Sequence, residues 1–394
     1  MDMYEVLTHP WWPIYDHDSR VLLLGTFPSP RSRSEGFYFG NPQNLFWTAL
    51  ADSLGVPRLP ATASVADKTA LLLDNHVALW DVLHSCRIEG AADASIRDPV
   101  PNRFSELIAD SRVNTIFTTG RTATSLFNRL AASEAKMRAV YLPSSSPANR
   151  ATQSRSDFSL LWGTLGRVVR GEVVSAAGMK VADRFTIDNR GIPSLMLMER
   201  AASAVVDTLV GAENDFDLGC VLCVCGTGNN GGDGLALARL LHQQGIRAEA
   251  LLIGNLDHLS RECRQQLTWA QAAGVAVSFA GLEELAALAN RGELIPTPKT
   301  IIDALFGIGL ARPLTGAYRQ AVEAINDMRS AGARVLAVDI PSGISADTGE
   351  VLGAAVYADS TLTFAYNKLG MLFEPGRSHA GKLVVADIGV RLPD

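Results

Sequence analysis

The segment Gly226-Thr227-Gly228-Asn229-Asn230-Gly231-Gly232-Asp233-Gly234 stands between an apolar run at 219–225 and a helix-like run at 235–244. No other feature restricts the fold of this chain as much. A strand that turns through glycines into a helix is a βα unit, and βα units build parallel sheets that need covering layers. The same turn bares backbone N–H groups toward an anion at the helix start. A phosphate-bearing ligand is the first expectation.

The alternation extends through the whole chain. In the front half, strands are expected at 21–25, 77–80, 114–118 and 139–142, with helices at 44–54, 121–131 and 158–168. The pattern lapses around 171–179. Helical segments at 181–189 and 194–209 then open a second series, with strands at 220–225, 248–253, 276–279, 300–305, 335–340, 361–364 and 383–387. A helix at 317–330 puts Tyr318, Ala321, Val322, Ile325 and Met328 on one face. A chain of 394 residues with 47% apolar content is long enough for two cores, and no internal repeat relates its halves. The expected class is α/β: two three-layer α/β/α domains, residues 1–171 and 172–394, each a mainly parallel sheet with helices on both faces.

Charge separates the halves. Residues 1–170 carry 17 Lys+Arg against 16 Asp+Glu, and 15 of the 17 are Arg; the remainder carries 18 against 25. Arg suits bidentate contacts to phosphates and base edges, so nucleic acid is a candidate partner for the front half alone. Cys86, Cys220, Cys223, Cys225 and Cys263 make an odd number, and no charged-then-apolar leader opens the chain. A reducing cytoplasm is expected. Cys220-x-x-Cys223 reads as buried strand packing, with metal or redox use as the alternative. No apolar run approaches the ~18 residues that cross a bilayer.

Two further strand ends in the back half share the style of the first. Asp303 lies on one and runs into Phe306-Gly307-Ile308-Gly309-Leu310-Ala311-Arg312-Pro313, whose Arg312 can clamp phosphate; the other ends in Asp339-Ile340-Pro341-Ser342-Gly343. In a parallel sheet such loops converge beyond the strand ends. Asp233, beside a helix start, would compete with phosphate and is expected to cap backbone N–H groups or face a sugar hydroxyl. For Asp303 and Asp339 a capping role, and for Lys368 a surface charge, stand as alternatives to chemistry.

Together with Phe364-x-x-x-Lys368-x-Gly370 and the opening helix with Met179, Asp183 and Leu195-Met196-Leu197-Met198-Glu199, these loops resemble the NAD(P)H-hydrate epimerase family over 175–390. The resemblance implies a Rossmann-like domain that interconverts the R and S forms of NADHX and NADPHX at C6 of the hydrated nicotinamide ring. It implies Asp339 as acid–base residue, Lys368 as the residue that stabilises the developing charge, potassium held by Asn230, Asp303 and Ser342, and substrate lined by Asn229, Asn230, Gly231, Gly232, Asp233, Asp339 and Gly307 through Pro313. Arg200 departs from the pattern, where the family often has Asn. A homodimer is implied. The chain ends at Asp394 without the ATP- or ADP-dependent dehydratase domain that often follows, so a separate dehydratase is the expected functional partner.

The front half reads Gly25-Thr26-Phe27-Pro28-Ser29, then Gly36-Phe37-Tyr38-Phe39-Gly40-Asn41-Pro42-Gln43-Asn44-x-Phe46-Trp47, and later Pro143-Ser144-Ser145-Ser146-Pro147-Ala148-Asn149-Arg150. Prolines, aromatics and amides after a strand suit a pocket for a planar base, and the serine loop suits pressing into a duplex. With His9-Pro10-Trp11 and Asp81-Val82-Leu83-x-Ser85-Cys86-x-x-x-Gly90-x-x-Asp93, these segments resemble the uracil-DNA glycosylase superfamily over about 9–165, nearest its hypoxanthine branch. That implies excision of a deaminated base, with Ser144, Ser145, Ser146, Asn149 and Arg150 on DNA. Phe27 stands where many uracil glycosylases hold a water-activating Asp, and the resemblance passes that role to Asn44. A helix cap stands as the alternative for Asn44, and Phe46 and Trp47 read as core instead of base platform. Thr119 stands where an amide would read a base edge.

Overall fold

The computed structural model describes residues 5–90, 92–154, 156–211, 216–280 and 298–393. The chain divides into two units, Met1–Gly178 and Met179–Asp394.

In the first unit, β2 (Val21–Gly25), β3 (Val77–Asp81), β6 (Thr115–Thr119) and β7 (Ala139–Leu142) form a parallel sheet in the order β3-β2-β6-β7. β2, β3 and β6 are buried at every residue, which is why β2 and most of β3 read as apolar runs, while β6 mixes threonines with Ile116 and Phe117. Among the flanking helices are α1 (Phe46–Leu54), α2 (Arg121–Leu130) and α3 (Ser156–Val169). α1 and α3 pack closely because residue 166 is glycine: a Cβ there would overlap the carbonyl of Ser53, whose hydroxyl instead accepts the Gly166 N–H at 3.0 Å. Phe46 is wholly buried, edge-on to Trp162, so the core reading of Phe46 holds.

A second sheet went unread in the sequence. β1 (Glu5–Thr8), β4 (Leu83–Ile88) and β5 (Arg97–Pro101) pair antiparallel. The segment 81–93 gives no clear strand signal, because β4 alternates with polar residues and its register is broken by bulges.

The second unit holds a parallel sheet of β8 (Val221–Cys225), β9 (Ala248–Ile253), β10 (Ala276–Ala280), β11 (Thr300–Ala304), β12 (Arg334–Val338), β13 (Ser360–Phe364) and β14 (Lys382–Ala386), in the order β10-β9-β8-β11-β12-β13-β14. Helices include α4 (Ala176–Asp188), α5 (Ser194–Val210), α6 (Asn229–Gln243), α7 (Arg261–Ala272) and α8 (Gly316–Ser330). α8 lays Ala321, Val322, Ile325 and Met328 into the core beside Leu222, Val224, Ile301 and Val335. α4 starts earlier than the expected 181: Ser175 caps it, its hydroxyl accepting the Gly178 N–H at 2.9 Å, and the small residues after it carry no apolar rhythm.

The glycine-rich stretch is the larger correction. Helix α6 begins at Asn229, not at 235, so those glycines form its first turns. A Cβ at Gly231 would run into the Gly226 carbonyl, and one at Gly234 would lie 2.6 Å from Ala304 Cβ and 2.7 Å from Cys225 Sγ. Residues that read as a loop are there because the helix start is pressed against β8 and β11. Among the described residues no helix is long and apolar enough to cross a membrane.

Candidate active sites

In the second unit β9 lies on one side of β8 and β11 on the other. Ligands of α/β sheets gather beyond the carboxyl ends of strands at such a reversal. Asn229, Asn230, Gly231, Gly232 and Asp233 leave β8 here as the start of α6. Gly307, Ile308, Gly309, Leu310, Ala311, Arg312 and Pro313 follow β11, and the last three are exposed. The loops meet at Gly307, where a Cβ would lie 2.9 Å from Asp339 Oδ2 and 3.3 Å from Asn230 Oδ1.

Asp339 sits just past β12 with φ +70°, and the Ile340 N–H donates to Val338 O at 2.9 Å. This is a tight γ-turn, a strained geometry for a residue with a side chain. Ala365, past β13, repeats it with φ +60° and a 2.7 Å bond from the Tyr366 N–H to Phe364 O. Between the two turns lies Lys368, wholly buried. Its ammonium is 2.6 Å from Asp339 Oδ1 and donates to Thr363 Oγ1 at 2.7 Å and to Phe364 O at 2.9 Å. All three donors are used, so Lys368 is no surface charge, and its influence on a ligand passes through Asp339.

Asp303 and Ser342 are in direct contact. The Ser342 hydroxyl donates to Asp303 Oδ1 at 2.6 Å, its N–H donates to Oδ2 at 2.8 Å, and its Oγ accepts the Phe306 N–H at 2.9 Å. Phe306 adjoins Gly307, so Asn230 reaches the same corner. Burial pushes the Asp303 carboxyl up to about 6 against the bonds from Ser342. Asn230 Nδ2 is buried with no hydrogen-bond partner among the described residues. Amide orientation follows from the hydrogen-bond network, and turning this amide would point an oxygen at the orphaned position. Carboxylate, hydroxyl and amide oxygens suit a hard cation.

In the first unit the loops after β2, β3, β6 and β7 enclose a cavity of about 730 Å³ whose wall includes Thr26, Asn44, Asp81, Asp93, Thr119 and Ser144. Asn44 Oδ1 accepts the Phe46 N–H at 2.9 Å, so this side chain serves the helix start while lining the cavity. The serine loop is tied inward: the Leu45 N–H donates to Ser145 O at 3.1 Å, Asn149 Nδ2 to Ser144 Oγ at 3.1 Å, and Trp162 Nε1 to Pro143 O at 3.1 Å. Ser145 is buried, Ser146 caps the short 3-10 turn Pro147–Asn149, and Arg150 is exposed.

With both sites described, their relatives can be compared. The sequence model of the YjeF-related protein N-terminus matches residues 194–370, and that of the uracil DNA glycosylase superfamily matches 12–166. The NAD(P)H-hydrate epimerase of Limosilactobacillus fermentum is 44% identical over 219 residues, 55% of this chain and 96% of that protein. The one from Limosilactobacillus reuteri is 46% identical over 224 residues, 57% of this chain and 99% of that protein. The chain belongs to the NAD(P)H-hydrate epimerase family. Its front half carries a uracil-DNA glycosylase superfamily domain. A solution structure of a candidate uracil DNA glycosylase from Methanosarcina acetivorans is 28% identical, with a TM-score of 0.37, covering 42% of this chain and 99% of that one.

Sequence reasoning named Asp183, His9 and Asp81 as motif residues without a role, and Asp233 as substrate-lining without its electrostatics. In the epimerase-family unit, Asp183 of α4 stands near Asp339 and Lys368; burial first, then Asp339, pushes its carboxyl up to about 6, with Lys368 opposing. Asp233 makes no hydrogen bond among the described residues, so the expected capping is absent, and burial with Asp339 and Asp183 holds it well above the carboxylate range. In the glycosylase-family unit, His9 Nε2 is 2.9 Å from Asp81 Oδ2, both buried, and His9 Nδ1 faces the main chain of Trp11. Residue 25 must be glycine, since a Cβ would overlap Asp81 Oδ1. The only sequence signal for these groups was their place in the family-like segments, because their partners lie far off in the chain.

Proposed function

We propose that the second unit epimerises NADHX and NADPHX. The observation that carries this reading is the Lys368-backed Asp339 carboxylate facing Gly307 and Asn230, in a unit whose family acts on the hydrated cofactors. Inversion at C6 requires loss and return of hydroxide beside the ring nitrogen, or ring opening; both need a proton moved at one oxygen. Asp339 is that acid and base, and the Lys368 ammonium behind it holds Oδ1 in place. Asn229 through Asp233 and Gly307 through Pro313 line the dinucleotide, with helix-start N–H groups and Arg312 suited to its phosphates. Potassium would be held by Asn230, Asp303 and Ser342 and would supply positive charge for the diphosphate. Ser342→Ala is expected to raise the potassium concentration needed for half-maximal thermal stabilisation; an unchanged dependence removes Ser342 from the set. We read the unit as a homodimer served by a separate dehydratase.

The decisive experiment follows interconversion of purified R and S NADPHX. Asp339→Asn is expected to slow it by about 10²–10⁴-fold, and equal rates for variant and parent defeat the assignment.

For the first unit we propose excision of a deaminated base, hypoxanthine foremost, from DNA docked on Ser144 through Arg150, with Asn44 orienting water. The cavity, large enough for an extruded base, supports this. The second reading is a silent nucleic-acid-binding module, favoured by the engagement of Asn44 Oδ1 with the Phe46 N–H. Binding of inosine-containing duplex without release of any free base would establish it.

A further inference from the structure

The first unit's cavity contains a carboxyl group for which Asn44 chemistry has no use. Asp93 opens the 3-10 turn Asp93–Ser95 and lines the cavity together with Asp81. The two differ in their partners. Asp81 is paired with His9 at 2.9 Å, whereas among the described residues Asp93 Oδ2 accepts only the neutral Thr26 hydroxyl, at 2.8 Å. Thr26 comes from the loop after β2, beside Gly25, so the hydroxyl that orients Asp93 is fixed by the same strand end that makes room for Asp81.

We propose that Asp93 is the general acid of the glycosylase-family unit, giving its proton to N7 of a departing deaminated purine. This inference rests on the excision reading of that unit and deepens it by naming the base class. As the C1′–N9 bond breaks, its electron pair moves onto the purine and the Asp93 proton is delivered to N7, so hypoxanthine leaves neutral. Water adds its oxygen to the C1′ cation, and the proton it sheds returns to the Asp93 carboxylate, which closes the cycle without another reactant. A single-ring pyrimidine has no N7, so the acid favours purines.

The surroundings suit a proton donor. Burial, then the charge of Asp81, pushes the Asp93 carboxyl above its ordinary range, and the Thr26 bond opposes them. The other ionisable groups on this side among the described residues are His9 behind Asp81, Cys86 of β4 with Arg33 near it, and Tyr38, Tyr141, Arg31 and Arg121 on the cavity wall.

The test measures single-turnover base release by the full-length protein from duplexes containing hypoxanthine, 7-deazahypoxanthine or uracil, between about pH 4 and 8. Three results are expected: the parent slows on hypoxanthine as pH rises, Asp93→Asn is about 100-fold slower with that limb flattened, and Asp93→Glu recovers part of the rate. The deaza base is expected to slow the parent to the level of the variant on hypoxanthine, a comparison that needs no variant to fold. The inference is overturned if Asp93→Asn stays within about threefold of the parent with the same pH profile, or if the parent releases both bases equally fast. No release of any deaminated base by the parent would instead bring down the excision reading, and this inference with it.

Discussion

Lys368 is the residue on which the second unit turns. A wholly buried ammonium is tolerated because Asp339, Thr363 and Phe364 satisfy each of its protons. Removing one partner of such a pair costs about 3–5 kcal/mol, whereas replacing both with apolar groups costs far less. Lys368→Met alone should therefore lower the urea midpoint sharply, and Lys368→Met with Asp339→Leu should recover much of that loss. A double variant no more stable than the single one would show that the pair is not coupled. Asp339 and Lys368 were both legible as residues worth naming. Their order, carboxylate in front and ammonium behind, was not, because it depends on two γ-turns at adjacent strand ends that sequence periodicity does not reveal.

At the scale of elements, the start of α6 and the turn of α4 toward it decide how the crevice behaves. Gly234→Ala should destabilise the second unit by about 1–3 kcal/mol, since its Cβ would press on Ala304 and Cys225 where neither can move away freely; thermal unfolding measures it. Asp183, on α4, makes the unit sensitive to pH. Its folded carboxyl titrates near 6 against 3.8 for the free group. The folded state thus holds the proton more firmly, and the stability this gives is fully present below the unfolded value and is lost as pH rises through about 6. The loss amounts to at most about 3 kcal/mol. Asp183→Asn should flatten the stability of the unit between those two values, and an unchanged slope would assign the titration elsewhere. Strand positions in both parallel sheets were readable because most are short, largely apolar runs rich in Val, Leu and Ile. The β1-β4-β5 sheet was not: its strands are half polar, and its pairing joins Glu5 to Ile88 at a long distance along the chain, with β2 and β3 between them. The same distance hid His9 and Asp81, 72 positions apart.

For the molecule as a whole, the chain divides at Gly178 into two units, each with its own buried parallel strands. Calorimetry should resolve two transitions, and a nicotinamide dinucleotide at 100 times its dissociation constant should stabilise one of them by about 2.7 kcal/mol while leaving the other in place. A single transition that moves as one would mean that the halves melt as a unit. The buried ammonium supplies a second clock. Amine-reactive reagents label exposed lysines at once, but Lys368 has no surface to offer them. Each acylated Lys368 therefore records one opening of the crevice, and the rate at which this single peptide gains mass would report how often the native unit breathes.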